Sequence, residues 1–229
     1  MNLSGYDNTL AVKPDTASRS DSGRSALTVG VQDLACSRGD KVLFSRINFA
    51  VTAGQLLLIE GANGSGKTSL LRTLCGFILP DEGAVLWRGS DIRDCMDDYL
   101  AEMHYVGHNN GIKPGLTCSE NLKMASAFAA SPDTQDYAAV LHQFGLGQYI
   151  HTPAQMLSSG QRRRLALARL SVSQSNIWIL DEPFTSLDEK GKTLIKAQFR
   201  RQLAAGGIII VTSHEPIGLD DTHPVIVRL

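Results

Sequence analysis

Eight residues, Gly61-Ala62-Asn63-Gly64-Ser65-Gly66-Lys67-Thr68, have the types and spacing to grip a polyphosphate. They fit G-x-x-x-x-G-K-[ST], the phosphate-binding loop. Glycines at 61, 64 and 66 tolerate positive φ, so consecutive amide N–H groups can turn inward around an anion. A helix N-terminus just behind would add partial positive charge. Lys67 would reach the β- and γ-phosphates, and the Thr68 hydroxyl would ligate Mg²⁺. A Gly-rich turn followed by a chance Lys-Thr is the plain alternative.

A second constellation follows at Ile177-Trp178-Ile179-Leu180-Asp181-Glu182, an apolar strand ending in two carboxylates. Open α/β sheets present their chemistry at the carboxyl ends of the strands. Asp181 would hold Mg²⁺ directly or through water, and Glu182 would orient or deprotonate a water in line with the γ-phosphate. A solvated acidic pair after a core strand is the alternative. His214 ends the next strand, where an imidazole can hydrogen-bond the γ-phosphate, although a lone histidine there is usually only a surface residue. Leu157-Ser158-Ser159-Gly160-Gln161 opens an arginine-rich helix and makes a second anion site by the same free-amide argument. Taken alone, that pentapeptide is better explained as an ordinary Ser N-cap. Two phosphate-type sites are puzzling in a monomer. Two chains packed head to tail, each closing the other's nucleotide, resolve the puzzle.

The elements that must position these residues are legible from periodicity. Leu56 to Glu60 reads as a buried strand and Ser69 to Leu74 as the start of a helix, so the glycine loop sits at a strand-to-helix turn. Ahead of it, alternation at Leu27, Val29 and Val31, then Val42 to Phe44 and Ile47 to Val51, predicts a small antiparallel sheet. Turns are expected at Ser37-Arg38-Gly39-Asp40 and Thr52-Ala53-Gly54, and further strands at Ala84 to Trp87 and Met103 to Gly107. Thr117 and Glu120 have capping-box spacing before an Ala-rich helix running to Ala130, and a second helix is expected from Thr134 to Phe144, stopped by Gly145. Gln161 to Val172 reads as a helix with Leu165, Ala168 and Val172 inward and Arg162, Arg163 and Arg169 largely off that face. Asp188 caps a helix carrying Leu194, Ile195, Phe199 and Leu203, and Ile208 to Thr212 is a β-branched strand, after which only a short tail is expected.

Composition sets bounds. At 229 residues with 43% hydrophobic residues the chain can bury a full core. A net charge of -1 gives no sign of nucleic acid as a partner. The cysteines at 36, 75, 95 and 118 form no C-x-x-C pair, so reduced, buried thiols and a reducing compartment are expected. No apolar run approaches the roughly 18 to 20 residues that span a bilayer, so any membrane role is expected from the side. Residues 1–25 have no apolar stretch and read as a disordered tail.

GANGSGKT, LSSGQ, WILDEP with Leu187-Asp188 behind it, and TSH containing His214, in this order around a helical insertion, resemble the ATP-binding subunit of ABC transporters. The resemblance covers the chain from about Leu27 onward. It implies an α/β P-loop NTPase cassette, with a RecA-like core, an N-terminal antiparallel β subdomain and an inserted helical subdomain. The implied division is a tail at 1–25 and an ATPase domain at 26–229, its core and β subdomain at 26–108 and 157–229 and its helical subdomain at 109–156. It further implies ATP and Mg²⁺ as ligands, with ATP held by Gly61 to Ser69, Arg38 and His108. Glu182, His214 and Lys67 would be catalytic, and Thr68 and Asp181 would hold the metal. Ser158, Ser159, Gly160, Gln161 and Asp188 would act across the pair on the partner's nucleotide.

Val85 to Gly89, Tyr105 to His108, Gly111-Ile112-Lys113, Ala166 to Leu170 and Trp178 to Thr185 narrow the resemblance to the CcmA family, the ATPase subunits of cytochrome c maturation, also called haem exporter ATPases. This implies peripheral attachment at the cytoplasmic face of the inner membrane, on polytopic CcmB-like and CcmC-like subunits. Work would go into haem export or into ATP-driven release of a haem chaperone. Three departures stand out. His108 replaces the usual Gln, Ser159 replaces the first signature glycine, and Arg38 stands where an aromatic usually stacks on adenine. His104 and His108, four apart, would form a metal pair on a helix, but Tyr105 and Val106 favour a strand. The alternatives are the ATPase of another small ABC exporter, a non-transport ABC ATPase, and a small-molecule kinase. LSSGQ and Glu182 speak against the kinase, which must shield its nucleotide from water.

Overall fold

Nine strands and six helices follow one another in a computed structural model that describes residues 26–128, 135–214, 217–219 and 222–229. The tail at 1–25, the end of the Ala-rich stretch and the start of the second inserted helix at Thr134 lie outside these residues.

β1 (Thr28–Arg38) and β2 (Lys41–Thr52) form a long antiparallel hairpin, and β4 (Glu82–Trp87) and β5 (Ser90–Asp91) complete a sheet of order β2-β1-β4-β5. Sequence periodicity breaks the second of these strands in two around Ser45-Arg46, whereas the chain runs through in one strand. Arg46 takes up the irregularity at φ 53, opposite register shifts in β1. The hairpin turn narrows to Gly39-Asp40, and Arg38 belongs to the strand.

The second sheet is parallel throughout, in the order β6-β7-β8-β3-β9, built from β3 (Leu56–Glu60), β6 (Met103–Val106), β7 (Ile177–Asp181), β8 (Ile208–Thr212) and β9 (Val225–Arg228). Its three central strands read as unbroken apolar runs because both faces are covered. The period of two sorts their side chains. Leu57, Ile59, Ile177, Ile179, Ile208 and Ile210 join one core with α1 (Lys67–Leu74) and the antiparallel sheet. Leu56, Leu58, Trp178, Leu180, Ile209 and Val211 join the other core, with α5 (Ser159–Ala168) and α6 (Glu189–Ala204).

α2 (Met96–Glu102) leads into β6. Between β6 and α5 lie α3 (Cys118–Phe128), α4 (Tyr137–Gln143) and short 3₁₀ turns, and the strand-type pairing there among the described residues is a single bridge, Thr117 to Pro153. The expected capping box opens α3. Thr117 Oγ1 accepts from Glu120 N at 3.2 Å, and Glu120 Oε2 accepts from Thr117 N at 2.8 Å. α4 starts at Tyr137 because the Asp136 side chain accepts from Ala139 N. Leu122, Leu141, Phe144 and Leu146 pack into the same cluster as Leu180 and Val211, so these helices share a core with the parallel sheet. Cys36, Cys75 and Cys118 are buried and Cys95 half-buried, all four as free thiols.

Two sequence readings need correction. β9 lies where only a tail is expected: Val225-Ile226-Val227 is too short to stand out, yet β9 pairs with β3 from Leu57 to Glu60. Arg163 is buried at 4% exposure instead of lying off the core face. α5 is covered on several sides, with Arg163, Leu165, Ala166, Leu167 and Ala168 all buried, so a one-face reading of its period fails.

Candidate functional site

Parallel pairing fixes which residues can meet. Ile59 is in register with Thr212, and Thr212 with Asp181, so β3, β8 and β7 end at one level. The glycine loop, the carboxylate pair and His214 therefore emerge at one edge of the sheet, at the carboxyl ends of its strands.

The loop turns as its glycines allow, with Gly64 at φ 78 and Gly66 at φ 106. Gly66 caps α1, and a Cβ there would come within 3.2 Å of Leu43 and 3.3 Å of Phe44, so the loop is pressed against β2. Among the described residues, the main-chain N–H groups of Gly64, Gly66, Lys67 and Thr68 have no acceptor within the protein. The Ser65 hydroxyl is buried with no partner. A buried hydroxyl with no partner is rare, and beside free amides at a helix N-terminus it suits an anion. Lys67 is 6% exposed, its ammonium donating to Gly61 O at 2.7 Å and to Ala62 O at 3.0 Å.

Thr68 Oγ1 donates to Asp181 Oδ2 at 2.8 Å, and Thr212 Oγ1 donates to Asp181 Oδ1 at 2.8 Å. A hydroxyl beside a carboxylate is an oxygen donor set that suits a hard cation such as Mg²⁺. Thr212 Oγ1 also accepts from Glu182 N at 2.9 Å, so one threonine fixes both acidic residues. Glu182 stands at φ 48, a left-handed conformation that is uncommon for a residue with a side chain. Its Oε1 lies 2.7 Å from His214 Nε2 and its Oε2 accepts from Thr185 Oγ1 at 3.2 Å. A groove of about 310 Å³ is lined by Arg38, Leu43, the loop residues Asn63, Gly64 and Gly66 to Ser69, and Glu182. A neighbouring groove of the same size holds Glu182 and His214 with Ser186 and Leu187.

Arg38, the loop, Asp181, Glu182 and His214 are thus brought together. Ser158, Ser159, Gly160, Gln161, Asp188 and His108 line neither groove. Ser158 and Gln161 form a reciprocal capping box, Ser158 Oγ accepting from Gln161 N at 3.2 Å and Gln161 Oε1 from Ser158 N at 2.8 Å. Gly160 is fitted to Ser186, whose carbonyl oxygen would lie 2.7 Å from a Cβ. Asp188 caps α6 by accepting from Gly191 N at 2.9 Å. Ser158 and Ser159 remain exposed.

His108 is exposed just after β6, whereas His104 sits inside it, paired with Trp178, so they do not form a helical pair. Among the described residues no group of three or more His, Cys, Asp or Glu could hold a metal ion. Burial, helped by nearby Arg169, pushes the His104 imidazole down to about 4. The folded chain thus resists a proton that the unfolded chain takes up near 6.5. The resulting stability is complete above that pH and is lost as pH falls toward 4, by about 3 kcal/mol. Chemical denaturation at pH 7 and pH 4 should show a His104→Gln chain losing less than the parent by that amount.

Sequence reasoning missed Thr212, Thr185 and Arg163. The available signals were a threonine ending an otherwise apolar strand, and a hydroxyl three residues after the glutamate.

The ABC transporter family matches residues 44–185. The chain is 49% identical over 187 residues to the cytochrome c biogenesis ATP-binding export protein CcmA of Nitrosomonas europaea, covering 81% of this chain and 88% of that one. It is 41% identical over 194 residues to the protein of the same name from Pseudomonas aeruginosa, covering 84% and 96%. Among solved structures, the ATP-binding subunit of an ABC transporter superposes with a TM-score of 0.77 at 22% identity, covering 88% of this chain and 85% of that one, which shows the shared fold. With a site built of a phosphate-type loop and paired carboxylates at one sheet edge, the chain belongs to the ABC transporter family, among its cytochrome c biogenesis ATP-binding export proteins.

Proposed function

We propose a working cycle for this chain, an ATP-hydrolysing subunit of the cytochrome c biogenesis ABC exporter. The observation that carries it is the chain of bonds from Thr68 through Asp181 to Thr212 and Glu182, which joins the glycine loop to a carboxylate in one groove. The free amides of the loop, Ser65 and Lys67 hold the phosphates of ATP, with Ala62, Asn63 and Ser69 completing the cradle. Arg38 lines the same groove, and its planar guanidinium stacks on adenine. Thr68 and Asp181 hold Mg²⁺, which when bound neutralises charge on the β- and γ-phosphate oxygens. Glu182 orients and deprotonates the attacking water, and His214, already on its carboxylate, passes to the γ-phosphate. His108 lies beyond the groove and completes the site from the loop after β6.

The exposed Ser158 and Ser159, with Gly160, Gln161 and Asp188, serve the nucleotide of a second copy packed head to tail. Residues 109–156 form the helical subdomain that docks on separate polytopic membrane subunits, CcmB-like and CcmC-like, with 26–108 and 157–229 as the catalytic body. Among the described residues, no helix is long and apolar enough to cross a membrane. Through those partners the subunit sits on the cytoplasmic face of the inner membrane, as the likeness to the CcmA proteins supports.

Mixing two defective chains tests the pairing. In a head-to-tail pair of Lys67→Ala with Ser158→Arg, one site carries both defects and the other carries none. Co-expression should restore ATP hydrolysis well above the sum of the two variants alone. If the mixture stays as inactive as its parts, each chain works by its own residues and the pairing is wrong.

A further inference from the structure

Arg163 is a buried cation that the catalytic cycle above does not use. It is 4% exposed, and its five guanidinium N–H groups meet five acceptors, none of them a carboxylate. Nη2 donates to Asp181 O at 2.6 Å and to Glu182 O at 2.9 Å, and Nε donates to Pro183 O at 3.3 Å. Nη1 donates to Gly107 O at 2.8 Å and to Asn110 Oδ1 at 3.0 Å. Burying a charge is expensive unless every proton is met, and an apolar side chain could fill the same space. The arrangement does something an apolar residue cannot: one rigid plane ties three consecutive carbonyls of the carboxylate turn to the loop that leaves β6.

Both tied segments matter to the site. Glu182 is held at φ 48, and such a conformation persists only when its surroundings over-determine it. Thr212 holds its N–H and Arg163 holds the carbonyls at 181, 182 and 183. The loop after β6 carries His108 and leads into the helices at 109–156. Arg169, six residues on from Arg163, grips the same loop through Asn110 O at 3.3 Å and Gly111 O at 3.0 Å.

From this geometry we infer that Arg163 is a positioning residue that couples the Gly107–Asn110 loop to the backbone of Glu182. A shift of that loop is carried by the guanidinium plane to the carboxylate, so the water-orienting geometry depends on where the loop sits. The inference rests on Glu182 acting as proposed above, and the experiment separates the two.

Steady-state ATPase assays on the full chain use Arg163→Lys, Asn110→Ala, the double variant and Glu182→Gln, with bound ATP per chain and thermal melting measured for each. Arg163→Lys keeps the charge but loses the fork, and should lower kcat by about 10- to 100-fold. Asn110→Ala, on a half-exposed loop, should lower kcat by about three- to tenfold. In both, the KM for ATP should stay within about threefold of the parent. The double variant should be no slower than Arg163→Lys alone, because the loop then has no path to Glu182. If Arg163→Lys does not melt cooperatively, Asn110→Ala decides. Activity that falls only in step with bound ATP per chain means a structural role and overturns the inference. So does parental turnover in both variants while Glu182→Gln is inactive. Parental turnover in Glu182→Gln removes the catalytic reading itself.

Discussion

Replacing Glu182 with glutamine lowers ATP turnover by about 10² to 10⁴-fold and leaves ATP affinity nearly unchanged. The substitution is close to isosteric, and the backbone that aims the side chain is fixed by others. Thr212 Oγ1 holds its N–H, and Arg163 Nη2 holds its carbonyl. What changes is the side-chain head, since an amide cannot take up the proton proposed to come from the attacking water. The groups proposed to hold the phosphates, from Gly61 to Ser69, are untouched. Measuring kcat beside the equilibrium dissociation constant for ATP separates the two effects. A variant that turns over near the parental rate removes Glu182 from the mechanism, and one that no longer binds ATP makes it a structural residue.

That prediction was available before the structure, because the features behind it are local in sequence. A strand, a glycine loop and a helix announce themselves in one stretch from Leu56 to Leu74, and so does an apolar strand ending in Asp181-Glu182. The capping box at Thr117 and the N-cap at Ser158 are legible for the same reason: their partners lie three residues away. What escaped the sequence is everything that depends on residues far apart in the chain. Thr212 reaches Asp181 across 31 positions, and Arg163 reaches Gly107 across 56. Neither contact leaves a spacing to read. β9 was hidden because four residues show too little alternation, although its pairing with β3 brings Leu229 N onto Glu60 O at 3.0 Å, beside the phosphate-type loop. Arg163 was misread because a helix enclosed on several sides has no polar face for the period to reveal.

Lys67→Ala should weaken ATP binding by about 100-fold, because a charge-assisted hydrogen bond contributes about 1.5 to 3 kcal/mol and this ammonium is proposed to reach the phosphates. It donates to Gly61 O and Ala62 O at the start of the loop. Those carbonyls are half-buried and exposed, respectively, so water replaces the lost bonds and the fold should melt near the parental temperature. The loss therefore appears only when ATP is present. At a concentration 100 times the parental dissociation constant, ATP stabilises the parent by about 2.7 kcal/mol and a 100-fold weaker variant by about 0.4 kcal/mol. Thermal shift with and without Mg-ATP reads this difference directly. Equal stabilisation of both chains means that the loop amides and Ser65 hold the phosphates unaided, and that Lys67 serves only to brace the loop against itself.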